Sequence, residues 1–166
     1  LDAVGRLAAQ VAAGGLSGML AQRTVEQGTR SVGQTIAATI EGALIGVTDP
    51  FARARLVETL GLVKHTQATR RLIELALNTS EHEEVRVAAV AALGQRRGTE
   101  GLTEHLESLA GTDDRLGVVA RLAVVDLTAM PASRVVREHG LTIAQLFLHA
   151  DIDPTLSAAG AGYNGG

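Results

Sequence analysis

Residues 83–124 read EEVRVAAVAALGQRRGTEGLTEHLESLAGTDDRLGVVARLAV, and this stretch decides the fold. Its apolar residues recur at intervals of three and four, which is the spacing of one face of an α-helix. Two such helical segments are each followed by a glycine, Gly94 and Gly111, of the kind that often ends a helix. The stretch therefore predicts a pair of helices followed by the start of a third.

The helix pair belongs to a repeating series. The turns between successive pairs lie at Asp49, Ser80 and Asp113, so the spacings are 31 residues (80 − 49) and 33 residues (113 − 80). A period in the thirties with two helices per period is typical of helical solenoids, in which each pair covers its apolar face by stacking on its neighbours.

Particular residues recur with this period. Leu60-Gly61 returns 33 residues later as Leu93-Gly94, and Arg53 returns as Arg86 under the same shift. A residue type that returns at equivalent positions usually serves the contact between repeats. These recurrences support the repeat register over residues 36–127.

The same stretch resembles HEAT repeats of the short bacterial type, the branch that includes the phycobilin-lyase-like repeats. The matching residues of its two helices are Val85, Arg86, Ala88, Ala89, Ala92, Leu93 and Gly94, then Leu102, Leu106 and Leu109. The preceding unit keeps Arg53, Leu56, Leu60, Gly61 and Ile73. The following unit has Gly117 where the pattern would place an arginine.

The resemblance implies an all-α fold, a right-handed α-solenoid of antiparallel helical hairpins with irregular terminal helices. HEAT-like proteins mostly act as scaffolds and partner-binding surfaces, while some relatives assist chromophore attachment and some act on DNA bases. Fold alone does not choose among these functions.

Helix boundaries follow from local residue chemistry. We expect two short helices within residues 2–28, broken at Gly14-Gly15 and ended at Gly28, and a further helix over residues 32–47. Asp49 is a good N-cap before Pro50, which suits the first helical position. The later helices are predicted to be capped by a Ser80–Glu83 capping box, by Thr99 and by Thr112-Asp113.

Four segments are predicted along the chain. Residues 1–31 form an N-terminal helical cap or interaction segment, and residues 32–130 form the HEAT-like repeats. Residues 131–156 form a C-terminal helical cap, and residues 157–166 form a Gly-rich tail. Because the chain begins at Leu1 rather than Met, a processed product and a fragment of a longer protein both remain open.

Composition excludes several classes of function. Hydrophobic residues make up 46% of the chain and aromatic residues 2%, so the core must be aliphatic. A net charge of −3 argues against a nucleic-acid binder that neutralises many phosphates. The absence of cysteine excludes disulfides and thiolate metal sites. With no membrane span and no signal peptide in view, a cytoplasmic location is favoured.

Few residues suggest chemistry. The cluster His82-Glu83-Glu84 fits a helix start better than a metal site, because consecutive residues point in different directions on a helix. No two histidines have the i, i+4 spacing of a zinc helix, so neither a metal nor another cofactor is predicted. The basic pairs Arg70-Arg71 and Arg96-Arg97 lie close to turns and could form a patch for an acidic partner, although a solvated face is the favoured interpretation.

Candidate contact residues lie in the repeats and at the ends. Arg53 and Arg86 could line a surface that meets acidic partners, although pairing with turn acids such as Asp49, Asp113 or Asp114 is the favoured interpretation. The apolar N-terminal helix pair and residues Leu146, Phe147 and Leu148 are predicted to contact a partner. We also hypothesise that Tyr163 and the tail dock on the protein itself, on a second copy or on a larger assembly.

The sequence therefore favours a non-enzymatic interaction module that binds a protein partner or a second copy of itself. One alternative is a lyase-like or chaperone-like helper that binds a small molecule or substrate chain in a groove near Arg53, Arg86 and Asp126. Another is DNA binding through a helix-turn-helix-like hairpin near the C-terminus, although its second helix, IAQLFLHA, is too apolar to face a DNA groove.

Overall fold

The computed structural model describes residues 3–129, apart from the side chain of Arg30, and every regular element in this range is an α-helix. This confirms the all-α class. The seven helices are α1 (Ala3–Ala13), α2 (Gly15–Gly46), α3 (Pro50–Leu62), α4 (Thr66–Leu77), α5 (Glu83–Leu93), α6 (Leu102–Ala110) and α7 (Arg115–Thr128).

Helix α3 begins as its sequence predicts. The Oδ2 atom of Asp49 accepts a hydrogen bond from the amide of Ala52 at 2.7 Å, and Pro50 occupies the first helical position. Both features suit a helix start, because they satisfy or remove amide groups that have no partner within the helix. Leu56 and Leu60, which match the repeat pattern, are completely buried.

Helix α2 does not stop at Gly28, so that prediction is wrong. The helix runs through Gly28 and is distorted instead at Val32, which has non-helical dihedral angles (φ −132°, ψ 28°). A glycine lowers helix stability by only about 1 kcal/mol. Val25 and Ile36 are buried in the core on opposite sides of the kink at Val32, so each of the two helical segments is held by its own packing.

The predicted Ser80–Glu83 capping box is not formed. His82 is the N-cap of α5, and its Nδ1 atom accepts a hydrogen bond from the amide of Glu84 at 3.2 Å. Glu83 is therefore the first helical residue, two positions too early to close a capping box. Ser80 lies in the preceding turn, where its amide donates to Oδ1 of Asn78.

Two further helix starts differ from prediction by one or two residues. Gly101, with a left-handed φ of 72°, precedes α6, so Thr99 is not its cap. Asp114 rather than Asp113 caps α7, because its Oδ1 atom accepts a hydrogen bond from the amide of Gly117 at 2.8 Å. Gly101 adopts this conformation at little cost because it lacks a Cβ atom, and no side chain caps the start of α6.

The first helices of successive repeats pack directly on one another, α3 on α5 and α5 on α7. Two glycines allow this close approach. A Cβ atom at Gly61 would lie 2.7 Å from the Cβ of Ala92, and one at Gly94 would lie 3.0 Å from the Cα and Cβ of Ala123. The recurring Leu-Gly pair of the sequence is therefore the contact point between repeats.

One aliphatic core extends from α1 to α7. Its largest fully buried side chains include Ile40, Leu44, Leu56, Leu60, Leu72, Leu75, Leu93, Leu102 and Leu106. The core thus has the aromatic-poor composition expected from the sequence. No helix between residues 3 and 129 has the length and apolar character needed to cross a membrane.

Replacing Gly61 with alanine tests the close approach of α3 and α5. We expect Gly61→Ala to lower the free energy of unfolding by about 1–3 kcal/mol, because the added methyl group would overlap the Ala92 side chain. Urea denaturation followed by circular dichroism measures the change.

The matched control is Gly42→Ala, an exposed helical glycine with open space around its Cβ position. It should raise the free energy of unfolding by about 0.5–1 kcal/mol through helix propensity alone. The double change Gly61→Ala with Ala92→Gly should recover part of the loss. Equal behaviour of Gly61→Ala and Gly42→Ala would contradict the proposed contact.

Candidate functional site

None of the seven described helices carries a basic residue in its own last turn. The last carbonyl groups of a helix lack partners within it and carry a partial negative charge. In this protein, Lys and Arg side chains from other elements donate hydrogen bonds to these carbonyls. The arrangement determines where most of the cations of the repeat region lie.

Arg53 joins the end of α2 to the turn before α5. Its Nη1 atom donates to the carbonyls of Leu44 at 2.5 Å and Val47 at 2.9 Å. Its Nε and Nη2 atoms donate to the two carboxylate oxygens of Glu81 at 3.2 and 2.5 Å. The side chains of Arg53 and Glu81 are only 16% and 13% exposed, so this is a largely buried bidentate pair.

Arg86 performs the equivalent role one repeat later, since its Nε donates to the carbonyl of Ala76 near the end of α4. In the next repeat, Arg121 donates to the carbonyls of Ala110 and Thr112 at 2.6 and 3.0 Å. The sequence pattern missed Arg121 because it lies further along its helix than Arg53 and Arg86 do. Gly117 stands near the expected position because a Cβ there would collide with the carbonyl of Thr112.

The acids that face these arginines differ in part from those predicted. The carboxylate partner of Arg53 is Glu81, not Asp49, which instead caps α3. Hydrogen bonds from the Thr112 hydroxyl and the Gly117 amide, with a smaller contribution from the charge of Arg86, hold the pKa of Asp114 below its usual value. Asp114 is thus a helix cap that also lies in the field of Arg86.

Arg96 is the buried cation of the repeat region, and its residue is only 5% exposed. Its Nη2 atom donates to the carbonyls of Leu60, Gly61 and Val63 at 3.2, 3.1 and 2.8 Å, at the end of α3. Its Nη1 atom donates to the hydroxyl of Thr69 at 3.0 Å. The interpretation of Arg96 as a solvated residue is therefore wrong.

Three other cations complete the pattern. Arg55 donates to the carbonyls of Val11 and Ala12 at the end of α1. Lys64 donates to the carbonyl of Gln95 just beyond α5, and Arg97 donates to the carbonyl of Asp126 near the end of α7. Six of the seven helix ends thus receive a cation from a different element, and Lys64 binds just beyond the seventh.

A groove of about 710 Å³ lies between α4 and the segment that joins α5 to α6. We call it the α4–α6 groove. One side is formed by α4 and the loop before it, and the other by residues 95–99 and α6. Its lining includes Lys64, His65, Thr69, Arg70, Ile73, Glu74, Arg96, Arg97 and His105.

The histidines of this groove have different roles. His65 is the N-cap of α4, and its Nδ1 atom accepts a hydrogen bond from the amide of Gln67 at 3.2 Å. His105 lies on α6 and is exposed. Burial, together with the charge of nearby Arg96, lowers the pKa of Lys64. The cations of the groove are therefore close enough to influence one another.

A second feature is an exposed apolar patch at the start of α2, formed by Leu16, Met19 and Leu20. These side chains are 73%, 66% and 56% exposed. Their i, i+3, i+4 spacing places them on one face of the helix. Together with Leu62 they line a cavity of about 420 Å³. Helix α7 also carries exposed apolar residues, Val118, Leu122 and Val125.

Comparison with known proteins gives one match. The family model for HEAT repeats matches residues 40–128, which is 89 of the 166 residues and just over half of the chain. The chain belongs to the HEAT repeat family. No curated protein and no solved structure shows significant similarity to it.

The HEAT repeat match covers α3 to α7 and the end of α2, and so includes Arg53 and Arg86. Both arginines are engaged in helix-end contacts, and a partner-binding role for them stays a prediction. The predicted contact residues Leu146, Phe147, Leu148 and Tyr163 lie outside the described residues, as does the C-terminal hairpin. Among residues 3–129, no group of three or more His, Cys, Asp or Glu side chains is arranged to hold a metal ion.

Replacing Arg96 tests the helix-end contact within the HEAT repeats. We expect Arg96→Met to lower the free energy of unfolding by about 1–3 kcal/mol, because four hydrogen bonds from a charged donor are lost while the cost of burying the charge is relieved. The control Arg97→Met removes an exposed arginine with one such bond and should cost under about 1 kcal/mol. Equal losses in both variants would refute the special role of Arg96.

Acid titration tests the Arg53–Glu81 pair. Burial raises the pKa of Glu81, but hydrogen bonds from Arg53 and the His82 amide, with the charge of Arg53, outweigh it and bring the pKa below 4.5. A carboxylate with a lowered pKa in the folded state adds stability that is complete above its unfolded pKa and is lost as the pH falls through its folded pKa.

We therefore expect the stability difference between the wild type and Glu81→Gln to be largest at neutral pH and to shrink below about pH 4.5. Urea denaturation at pH 7, 5, 4 and 3 measures it. Glu107→Gln, which changes an exposed carboxylate, serves as the control. A difference that stays constant from pH 7 to pH 3 would show that the charge of Glu81 contributes nothing.

Proposed function

We propose that this HEAT repeat chain is a non-enzymatic protein–protein interaction module that contacts its partner through the apolar patch Leu16, Met19 and Leu20. The observation that carries the proposal is the exposure of three large apolar side chains on one helical face. Such clusters on a protein surface mark binding sites more often than isolated apolar residues do.

The energetics support a partner at this position. Burial of one exposed Leu or Met side chain contributes about 1.5–3 kcal/mol. Three such side chains beside the cavity lined by Leu62 could supply the apolar centre of an interface, with Gln22, Arg23 and Glu26 as its polar rim. The occupant is a protein partner, and a second copy of this chain is the homo-oligomeric form of the same proposal.

The architecture we propose is a right-handed α-solenoid of antiparallel hairpins. The contacts of α3 with α5, α5 with α7 and α4 with α6 support it, because they join corresponding helices of successive repeats. Such a stack presents an extended, rigid surface, and rigidity limits the entropy lost when a partner binds.

A lyase-like or chaperone-like helper is the second candidate. The α4–α6 groove, at about 710 Å³, has the size of typical small-molecule sites. The residues first suggested for such a site, Arg53, Arg86 and Asp126, do not line it. A small molecule or substrate chain that co-purifies with the protein and is released on denaturation would favour this candidate.

Changing the apolar patch tests the proposed function. We expect the triple variant Leu16→Gln, Met19→Gln and Leu20→Gln to bind the partner at least about tenfold more weakly than the wild type. The lost apolar burial exceeds about 1.4 kcal/mol of binding free energy, which corresponds to a factor of ten in affinity. Quantitative affinity purification from the source cells measures retention, and sedimentation velocity measures self-association.

The control is Ile45→Gln, which alters a residue that is 86% exposed at the other end of α2. Both variants should keep the free energy of unfolding within about 1 kcal/mol of the wild type, since surface changes of this kind have small effects. Unchanged partner retention and unchanged assembly in the triple variant would overturn the proposal.

A further inference from the structure

The α4–α6 groove concentrates positive charge on a protein whose net charge is −3. Four cations line it, Lys64, Arg70, Arg96 and Arg97, against one carboxylate, Glu74, among the described residues of its lining. A concave surface lined by one sign of charge focuses the electrostatic field and attracts the opposite charge.

Within residues 3–129, three of these four cations have no carboxylate partner that would neutralise their charge. Arg96, Lys64 and Arg97 donate to neutral carbonyl or hydroxyl groups at helix ends rather than to carboxylates, within the part of the chain that the structure describes. Arg70 has a carboxylate neighbour, since its Nε lies 3.8 Å from Oε1 of Glu74 on an exposed surface. An exposed pair of this kind is weak.

The centre of this charge is buried. Arg96 is only 5% exposed, and its Nε atom has no hydrogen-bond partner among the described residues. A charge in a poorly solvated position acts on its surroundings through a lower effective dielectric than a surface charge does. The lowered pKa of Lys64, due first to burial and then to the charge of Arg96, is consistent with this field.

The groove also offers apolar contact. Ile73 is half-buried and lies on the α4 side of the groove, one helical turn after Thr69 and Arg70. An inorganic anion would make no use of this aliphatic surface. A peptide that carries both carboxylates and an aliphatic side chain would use both features.

We propose that the α4–α6 groove binds an acidic segment of a protein partner, with carboxylates facing Lys64 and Arg97 and an aliphatic side chain packed on Ile73. This inference rests on the proposed interaction function and adds the chemistry of the partner. A nucleic acid fits less well, since the acidic chain as a whole repels a long phosphate backbone and the groove holds only a few residues.

The test uses the full chain and two fluorescent peptides, EDLEDLEDL and its uncharged counterpart QNLQNLQNL. Fluorescence anisotropy should show that the acidic peptide binds at least about tenfold more tightly and that its affinity falls as salt rises from 50 to 500 mM. The double variant Lys64→Gln with Arg97→Gln should lower the affinity at least tenfold. Both residues are exposed, so the fold should be retained, which circular dichroism checks.

The matched control, Arg6→Gln with Arg115→Gln, removes two exposed cations outside both the groove and the apolar patch and should leave binding within about twofold. Equal effects of the two double variants would overturn the inference, as would equal binding of both peptides. Tighter binding of a single-stranded DNA 20-mer that also depends on Lys64 and Arg97 would overturn it in favour of a nucleic-acid site.

The two proposals fail separately. If the acidic peptide does not bind while partner retention still depends on Leu16, Met19 and Leu20, the groove inference alone is wrong. If the peptide binds through Lys64 and Arg97 while changes in the apolar patch have no effect on partner retention, the groove inference is supported and the patch proposal is wrong.

Discussion

The constraint on which this structure depends is the pairing of helix C-termini with cations from other elements. None of the described helices carries a basic residue in its own last turn. The carbonyls there would otherwise rely on water and would oppose packing against a neighbour. Each contact therefore stabilises a helix end and fixes the position of the neighbouring element. The donors at the ends of α1, α2, α3, α4, α6 and α7 are Arg55, Arg53, Arg96, Arg86, Arg121 and Arg97, and Lys64 donates just beyond α5.

This constraint links the packing of the repeats to their surface chemistry. Gly61 and Gly94 bring successive first helices close together, and Arg96 then reaches the end of α3 across that contact. Because the acceptors of Arg96 are neutral carbonyl and hydroxyl groups, it connects the helices while its charge is not neutralised by a carboxylate. Arg97 does the same near the end of α7, and Lys64 does so just beyond the end of α5. The cations that secure the stack thus also make the α4–α6 groove electropositive on an acidic protein.

The sequence predicts those parts of this arrangement that depend on local periodicity. Helices α3 to α7 and the repeat of Arg53 as Arg86 follow from apolar spacing and from the 33-residue shift. Contacts between distant residues could not be predicted. Arg96 has the local surroundings of a solvated basic pair, and only carbonyls some 33–36 residues earlier make it a buried cap. Gly28 resembles a helix stop, but its low helix propensity costs only about 1 kcal/mol, and the break falls four residues later, at Val32. His82 replaces Ser80 as a cap because the turn places its ring, rather than the hydroxyl, beside the free amide.

Native-state hydrogen exchange tests most directly whether cation contacts at helix ends join the repeats into one cooperative unit. The comparison is between amides in the last turn of α3, residues 59–62, and amides in α5, residues 87–93. If Arg96 and the Gly61–Ala92 contact fasten the end of α3 to α5, both groups should exchange with the same opening free energy and the same dependence on denaturant. Opening of residues 59–62 at a much lower free energy than α5, as in an ordinary frayed helix end, would contradict this account.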